Sequence, residues 1–224
     1  MNRRMIGRLI WKDWYLQRWI ILASFVGGAI SLAIIAKGGK AGFLVGLILL
    51  ITVLVSIGAQ LAVSTIVQER KEQTLPFVMS LPISYREYTA SKMLGNLAIF
   101  LVVWLVMVVS SLALLAYPWD PHMGLIPFTA IMATEILLGT CLVVATALIT
   151  ESQGWTIGAI MVVNLAFNFF GYWVAHIHNI ANGMESTKLM WTSSASVLLI
   201  GEFCTIALLL GLTFFFQSRK QDFL

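Results

Sequence analysis

Six long apolar runs, separated by short polar breaks, constrain this chain more than any other feature. They fall near residues 19–36, 41–67, 93–117, 124–149, 154–175 and 195–216. A hydrocarbon slab about 30 Å thick takes about 20 apolar residues per spanning helix. Runs such as Leu44–Val55 and Ile99–Val109 are apolar on every face. A membrane strand instead alternates apolar and polar residues over about ten positions, so helices are favoured. The expected fold is an all-α polytopic membrane protein, one transmembrane domain over 1–224 with six transmembrane helices. Composition agrees: 11% of the 224 residues are charged, against roughly 25% in a soluble domain.

The formal net charge of +4 raises the question of nucleic acid, and its distribution answers it. Arg3, Arg4, Arg8, Lys12 and Arg18 precede the first run. Arg70, Lys71, Arg86 and Lys92 lie between the second and third, and Arg219 and Lys220 follow the sixth. Only Lys37, Lys40 and Lys188 fall on the other side. The positive-inside rule then places both termini in the cytoplasm, with the chain as a multi-pass protein of the cytoplasmic (inner) membrane. No nucleic-acid partner is expected. Cys141 and Cys204 sit inside spans, so no disulfide is expected. The first run follows a basic region without a small-residue cleavage site and reads as an uncleaved span.

Residues 2–18 place Met5, Ile6, Leu9 and Ile10 on one helical face, broken by Asp13, with Trp11, Trp14 and Tyr15 nearby. Aromatics of this kind settle at the headgroup level, so an amphipathic interfacial helix is expected there. Lys37-Gly38-Gly39-Lys40 makes a tight turn, and Pro118 and Pro121 stop a helix. Thr150–Gly154 is short enough to force a hairpin. Residues 176–194 mix polar positions with Ile177, Ile180, Met184, Leu189, Met190 and Trp191, which suits a short re-entrant or interfacial segment before the last span.

The segment 68–92 is the longest soluble-looking interruption. It carries Glu69, Arg70, Lys71, Glu72, Arg86, Glu87 and Lys92, with Pro76 and Pro82. Ser84-Tyr85-Arg86-Glu87 has capping-box spacing, so a helix starts at Ser84 and runs into the third span. Thr74 is an N-cap candidate ahead of Pro76. Leu75–Leu81, with Phe77, Val78 and Met79, then forms a short apolar helix between charged flanks. Those side chains either dip into the headgroup layer or plug into a groove on a cytoplasmic protein, and spacing alone leaves both open.

Within the runs, Glu135 lies near the middle of the fourth, where an ionised acid costs about 2.5–3.5 kcal/mol on insertion scales. Glu202 lies in the sixth, and Asn164 and Asn168 are one turn apart in the fifth. All four are candidates for a substrate pathway, and interhelical hydrogen bonds are the alternative for each. Gly42-x-x-x-Gly46 and Gly154-x-x-x-Gly158 permit close helix contact. His176 and His178 lack a third metal ligand. There is no nucleophile beside a base and no paired carboxylate at catalytic spacing, so no enzyme activity of the chain itself is expected. Lys40 follows glycines without the G-x-x-x-x-G-K-[ST] pattern of a phosphate-binding loop.

The loop resembles the signature loop of the ABC-2 type transporter permeases. The matching residues are Glu69-Arg70-Lys71-Glu72-Gln73-Thr74-Leu75, then Ser80-Leu81-Pro82-Ile83-Ser84, then Glu87 and Lys92. Gln73 stands where family members often carry glycine. The layout of interfacial helix, six spans and re-entrant segment is similar over the whole chain. The resemblance implies a type V exporter-like permease subunit, paired with a second permease subunit as a homo- or heterodimer in the lipid bilayer. It would rest a cytoplasmic coupling helix on a separate ABC ATPase subunit, which binds the ATP and Mg; this chain itself carries no cofactor. The coupling residues it implies are Glu69, Arg70, Thr74, Leu75, Phe77, Val78, Met79, Leu81, Pro82 and Glu87. A proton-coupled secondary transporter using Glu135, or a membrane assembly factor, are the competing readings.

Overall fold

The computed structural model describes residues 3–37, 39–71, 85–116, 123–184 and 186–219. Among them every regular element is helical. The order is α1 (Arg3–Lys37), α2 (Gly39–Ala62), a π-helical turn (Val63–Val67), α3 (Gln68–Lys71), α4 (Tyr85–Leu115), a 3-10 turn (Met123–Leu125), α5 (Ile126–Thr150), α6 (Gln153–Ala175), α7 (His178–Met184) and α8 (Ser193–Arg219). Six of these stretches are long and apolar enough to cross a membrane. The chain is an all-α polytopic membrane protein.

Its surface agrees with that. Trp155, Met161, Leu165, Phe169 and Tyr172 of α6 are all more than half exposed. A soluble protein rarely leaves so large a continuous apolar face uncovered, whereas acyl chains solvate it without cost. The centre of the bundle is α5, which packs against α2, α4, α6 and α8. Ile57, Leu61, Phe100, Val103, Met107, Ile136 and Cys141 fill the main core. The Trp104 indole N–H donates to the Ala133 carbonyl at 2.8 Å and fixes α4 against α5.

α1 differs from the expectation for its region. The interfacial helix over 2–18 and the span over 19–36 are one uninterrupted helix of 35 residues, about 52 Å long at 1.5 Å per residue. No proline or glycine separates Gln17 from Trp19, and the Arg18 guanidinium lies 4.4 Å from the Tyr15 ring, so its charge is accommodated on the helix surface. The face holding Leu9 and Asp13 also turns inward rather than toward lipid. Leu9, Asp13, Gln17, Ile21, Ser24 and Ser31 form its buried stripe. Trp11, Tyr15, Leu16, Trp19 and Leu22 point outward. Polar groups thus face the bundle and apolar ones face lipid.

The connections follow the sequence more closely. α4 is described from Tyr85 on, and Ser84 of the expected capping box lies outside the described residues. α5 and α6 meet in a hairpin whose Glu151 adopts φ 55°, its N–H bonded to the Ala147 carbonyl at 3.0 Å. At the opposite end, α7 forms a short helix inside the expected 176–194 segment and packs beside the 3-10 turn. Gly124 there donates to the Ser186 carbonyl at 3.1 Å, and a Cβ at this position would collide with the Gly183 and Ser186 carbonyl oxygens.

The two glycine pairs have different fates. A Cβ on Gly46 would lie 2.8 Å from the Ser31 carbonyl oxygen, and one on Gly42 3.1 Å from that of Ile34, so this pair seats α2 against α1. Gly158 has nothing within 4 Å and Gly154 only the Ser152 hydroxyl at 3.9 Å, so the second pair makes no helix contact within the chain. Gly46→Ala should therefore lower stability by about 1–3 kcal/mol, the usual cost of overpacking. Gly158→Ala should leave the melting temperature in detergent unchanged or slightly raised.

Candidate functional site

At the end of the bundle that carries α3 and the start of α4, a single ammonium group organises three helices. Tyr88, Lys92 and Asn96 recur every four residues, so they share one face of α4. That face turns toward α1 and α2. The Lys92 Nζ lies 2.9 and 3.1 Å from the two Asp13 carboxylate oxygens and 2.8 Å from Glu69 Oε2. Each of its three N–H donors therefore has an acidic acceptor. Lys92 is 1% exposed and Asp13 3%. The second Glu69 oxygen takes a 2.8 Å bond from Lys12 Nζ, at the solvated rim. The Tyr88 ring lies 5.9 Å from the Lys92 ammonium.

The layer beneath is neutral and also hydrogen-bonded. The Asn96 amide donates at 2.8 Å to both the Lys92 carbonyl and the Thr65 hydroxyl. Thr65 in turn donates to the Leu61 carbonyl at 2.7 Å. Thr65 sits in the π-helical turn, a local widening that frequently marks functional sites. The turn lets α2 present Thr65 to Asn96 and then, one turn on, Glu69 to Lys92. At Gly95 the backbone of α4 is open enough for Ile10 and Asp13 of α1 to approach in ordinary contact.

Among the described residues, Lys92 and the rim residue Lys12 face the carboxylates of Asp13 and Glu69. Burial alone would push the Glu69 carboxyl up. The Lys92 charge and the hydrogen bonds from Lys12 and Lys92 outweigh it, and Glu69 titrates below its ordinary value of 4.5. A buried charge pair contributes little compared with an apolar replacement, but removing one partner leaves an uncompensated charge and costs about 3–5 kcal/mol.

Of the expected coupling residues, Glu69 is at the centre of this hub. Glu87 is half-buried in the first turn of α4, one residue from Tyr88. Arg70 belongs to α3. Thr74, Leu75, Phe77, Val78, Met79, Leu81 and Pro82 lie outside the described residues, in the connection from α3 to α4. Both stems of that connection are held by the hub, through Glu69 on one side and Tyr88 and Lys92 on the other. Asp13, Lys12, Thr65 and Asn96 belong to the site without having been singled out for it. Asp13 had left a signal, an acid on an otherwise apolar helical face.

The expected pathway residues lie deeper. Glu135 and Asn164 line one cleft between α2, α5 and α6, together with Val55, Thr140, Ile160 and Phe167. Its cavity volume is about 20 Å³, and the cleft opens to the surroundings. The Asn164 and Asn168 amides each donate to the carbonyl four residues earlier in α6, at 2.8 and 2.7 Å, and do not link helices. Glu202 is buried on α8. His176 and His178 make local contacts to Tyr172 and Asn182, and no metal-binding cluster forms among the described residues.

The model of the family described as ABC-2 family transporter protein matches residues 8–151. The chain belongs to the ABC-2 transporter family. The matched part of this ABC-2 protein runs through α5, so it takes in every residue of the hub and Glu135 but not Asn164, Asn168 or Glu202. No curated protein and no solved structure matched the chain.

Two outcomes follow from the hub. Lys92→Met should destabilise this ABC-2 protein by about 3–5 kcal/mol, and adding Asp13→Asn should recover part of the loss, both read from denaturation in detergent. The depressed Glu69 carboxyl stabilises the fold above 4.5, and this contribution disappears as the pH falls through the lower folded value. Melting temperature should thus drop in the wild type as the pH falls below the ordinary carboxylate value of 4.5. The drop should be shallower in Glu69→Gln, which has no carboxyl to titrate there.

Proposed function

We propose that the chain is the membrane-spanning subunit of an ATP-driven exporter in the cytoplasmic membrane. Two permease subunits would pair, each resting its 69–83 loop on a separate ABC ATPase that holds the ATP and Mg. The family supports the transport role. The bias of Arg8, Lys12, Lys92 and Arg219 toward one end supports a cytoplasmic orientation for that end.

The observation that carries this reading is the Lys92 hub. A segment pushed by an ATPase does work on the spans only if its stems are rigidly joined to them. Glu69 and Lys92 join the two stems to each other, and Asp13 joins them to α1. Movement of the connection is thereby passed to α1, α2 and α4 together. Packed helices answer such a displacement by moving as rigid units, which suits exchange between inward- and outward-facing states. A proton-driven carrier has no use for this stem.

Phe77 and Leu81 would be the anchors in the ATPase groove. Placing a charge at a buried interface anchor costs about 2 kcal/mol or more, about thirtyfold in affinity. Phe77→Asp and Leu81→Asp should therefore lose the co-purifying ATPase and uncouple hydrolysis from transport, while their melting curves stay those of wild type. Variants that retain the ATPase and transport normally would overturn the proposal, as would cargo movement in vesicles free of any ATPase.

A further inference from the structure

One basic residue on the lipid-facing side of α1 has no acid to meet it. Arg18 is exposed, and among the described residues it forms no ion pair. Lys12, earlier on the same helix, is committed to Glu69. The Arg18 guanidinium lies instead against two rings of its own helix, 4.4 Å from the centre of Tyr15 and 5.5 Å from that of Trp19. Both distances are within the range of about 6 Å at which a ring face attracts a cation. Such contacts restrain the side chain while its in-plane N–H donors stay free to meet an anion.

The depth of Arg18 follows from the other end of the helix. α1 ends at Lys37, and no charged residue lies between the two. The rise from Arg18 to Lys37 is about 28 Å at 1.5 Å per residue, close to the hydrocarbon thickness of about 30 Å. Arg18 therefore reaches the boundary between acyl chains and headgroups at the hub end. Trp11, Tyr15 and Trp19 beside it are more than half exposed, and aromatics of this kind favour the headgroup level. In the other direction the same outward side continues as Leu22, Val26 and Ile30, also more than half exposed. One strip thus presents aromatic rings with polar tips, then a cation, then an apolar track. That is the order of parts in a phospholipid.

We propose that the Tyr15–Arg18–Trp19 strip of α1 binds the phosphate of an anionic phospholipid in the leaflet at the hub end, with an acyl chain along Leu22, Val26 and Ile30. The guanidinium fork matches two phosphate oxygens. In a zwitterionic lipid the phosphate already has a cation in its own headgroup, whereas an anionic lipid brings the charge that Arg18 lacks. The apolar track favours a lipid over a soluble phosphate compound. This inference needs the spanning fold alone and holds whether or not an ATPase drives the chain.

The test is native mass spectrometry of the purified full chain in detergent, titrated with phosphatidylglycerol or with phosphatidylcholine of the same acyl chains. Wild type should bind the anionic lipid about fivefold more tightly, the preference expected of one basic residue near the membrane surface. Arg18→Gln should bind phosphatidylglycerol about fivefold more weakly, with an unchanged melting temperature because the side chain lies outside the packed core. Arg8→Gln removes an equal charge about 15 Å further along the helix, beyond the screening length of about 8 Å, and should leave the affinity unchanged. Soluble glycerol phosphate should not displace the lipid. Equal affinity of wild type for the two lipids, unchanged affinity in Arg18→Gln, an equal loss in Arg8→Gln, or displacement by glycerol phosphate would overturn the proposal. The wild-type comparison needs no variant to fold.

Discussion

An ammonium group buried between three helices has to be matched on every side, and much of the terminal end of this bundle follows from that need. At low dielectric a lone lysine would be expelled or neutralised. Lys92 stays because Asp13 and Glu69 accept its protons. Neither carboxylate could be buried without the ammonium. The three groups are therefore placed by one another, and with them α1, the α2–α3 extension and the start of α4. Lys12 at the rim donates to the second Glu69 oxygen. The Thr65–Asn96 pair beneath it is the neutral continuation of the same contact.

This arrangement divides the labour within the bundle. α1, α2 and α4 are tied by charge at one end and by close glycine contact along their length. α5 is the packed axis, and α6 and α8 lie against it with most of their surface turned to lipid. The acids Glu135 and Glu202 belong to this second side. α2 of the hub meets α5 at Gly58, which sits against Thr140 so closely that a Cβ would collide with its hydroxyl. The hub and the cleft lined by Glu135 are thus joined through the contact of α2 with α5.

Much of the fold was legible because span length is a direct reading of bilayer thickness. What escaped the sequence was whatever depends on distant partners. Asp13 looked misplaced because its partner lies 79 residues away. The inward turn of α1's amphipathic face has the same origin. A stripe bearing Asp13 and Gln17 is buried by the bundle, and lipid takes the aromatics. Gly42/Gly46 and Gly154/Gly158 read alike in sequence, and only the helix packing separates them. Glu135 and Glu202 were each visible as intramembrane acids, but that Glu135 lines a cleft depends on how α5 packs against α2 and α6.

Hydrogen exchange on the chain assembled with the proposed ABC ATPase would test the proposed transmission through Lys92 most directly. Exchange is compared with and without a non-hydrolysable ATP analogue. In the wild type, amides around Asp13 in α1 and those of Gln68–Lys71 should change together when nucleotide binds. In Lys92→Met, the change at Gln68–Lys71 should persist while α1 no longer responds. An α1 that is silent in the wild type, or that responds equally in the variant, would contradict the account.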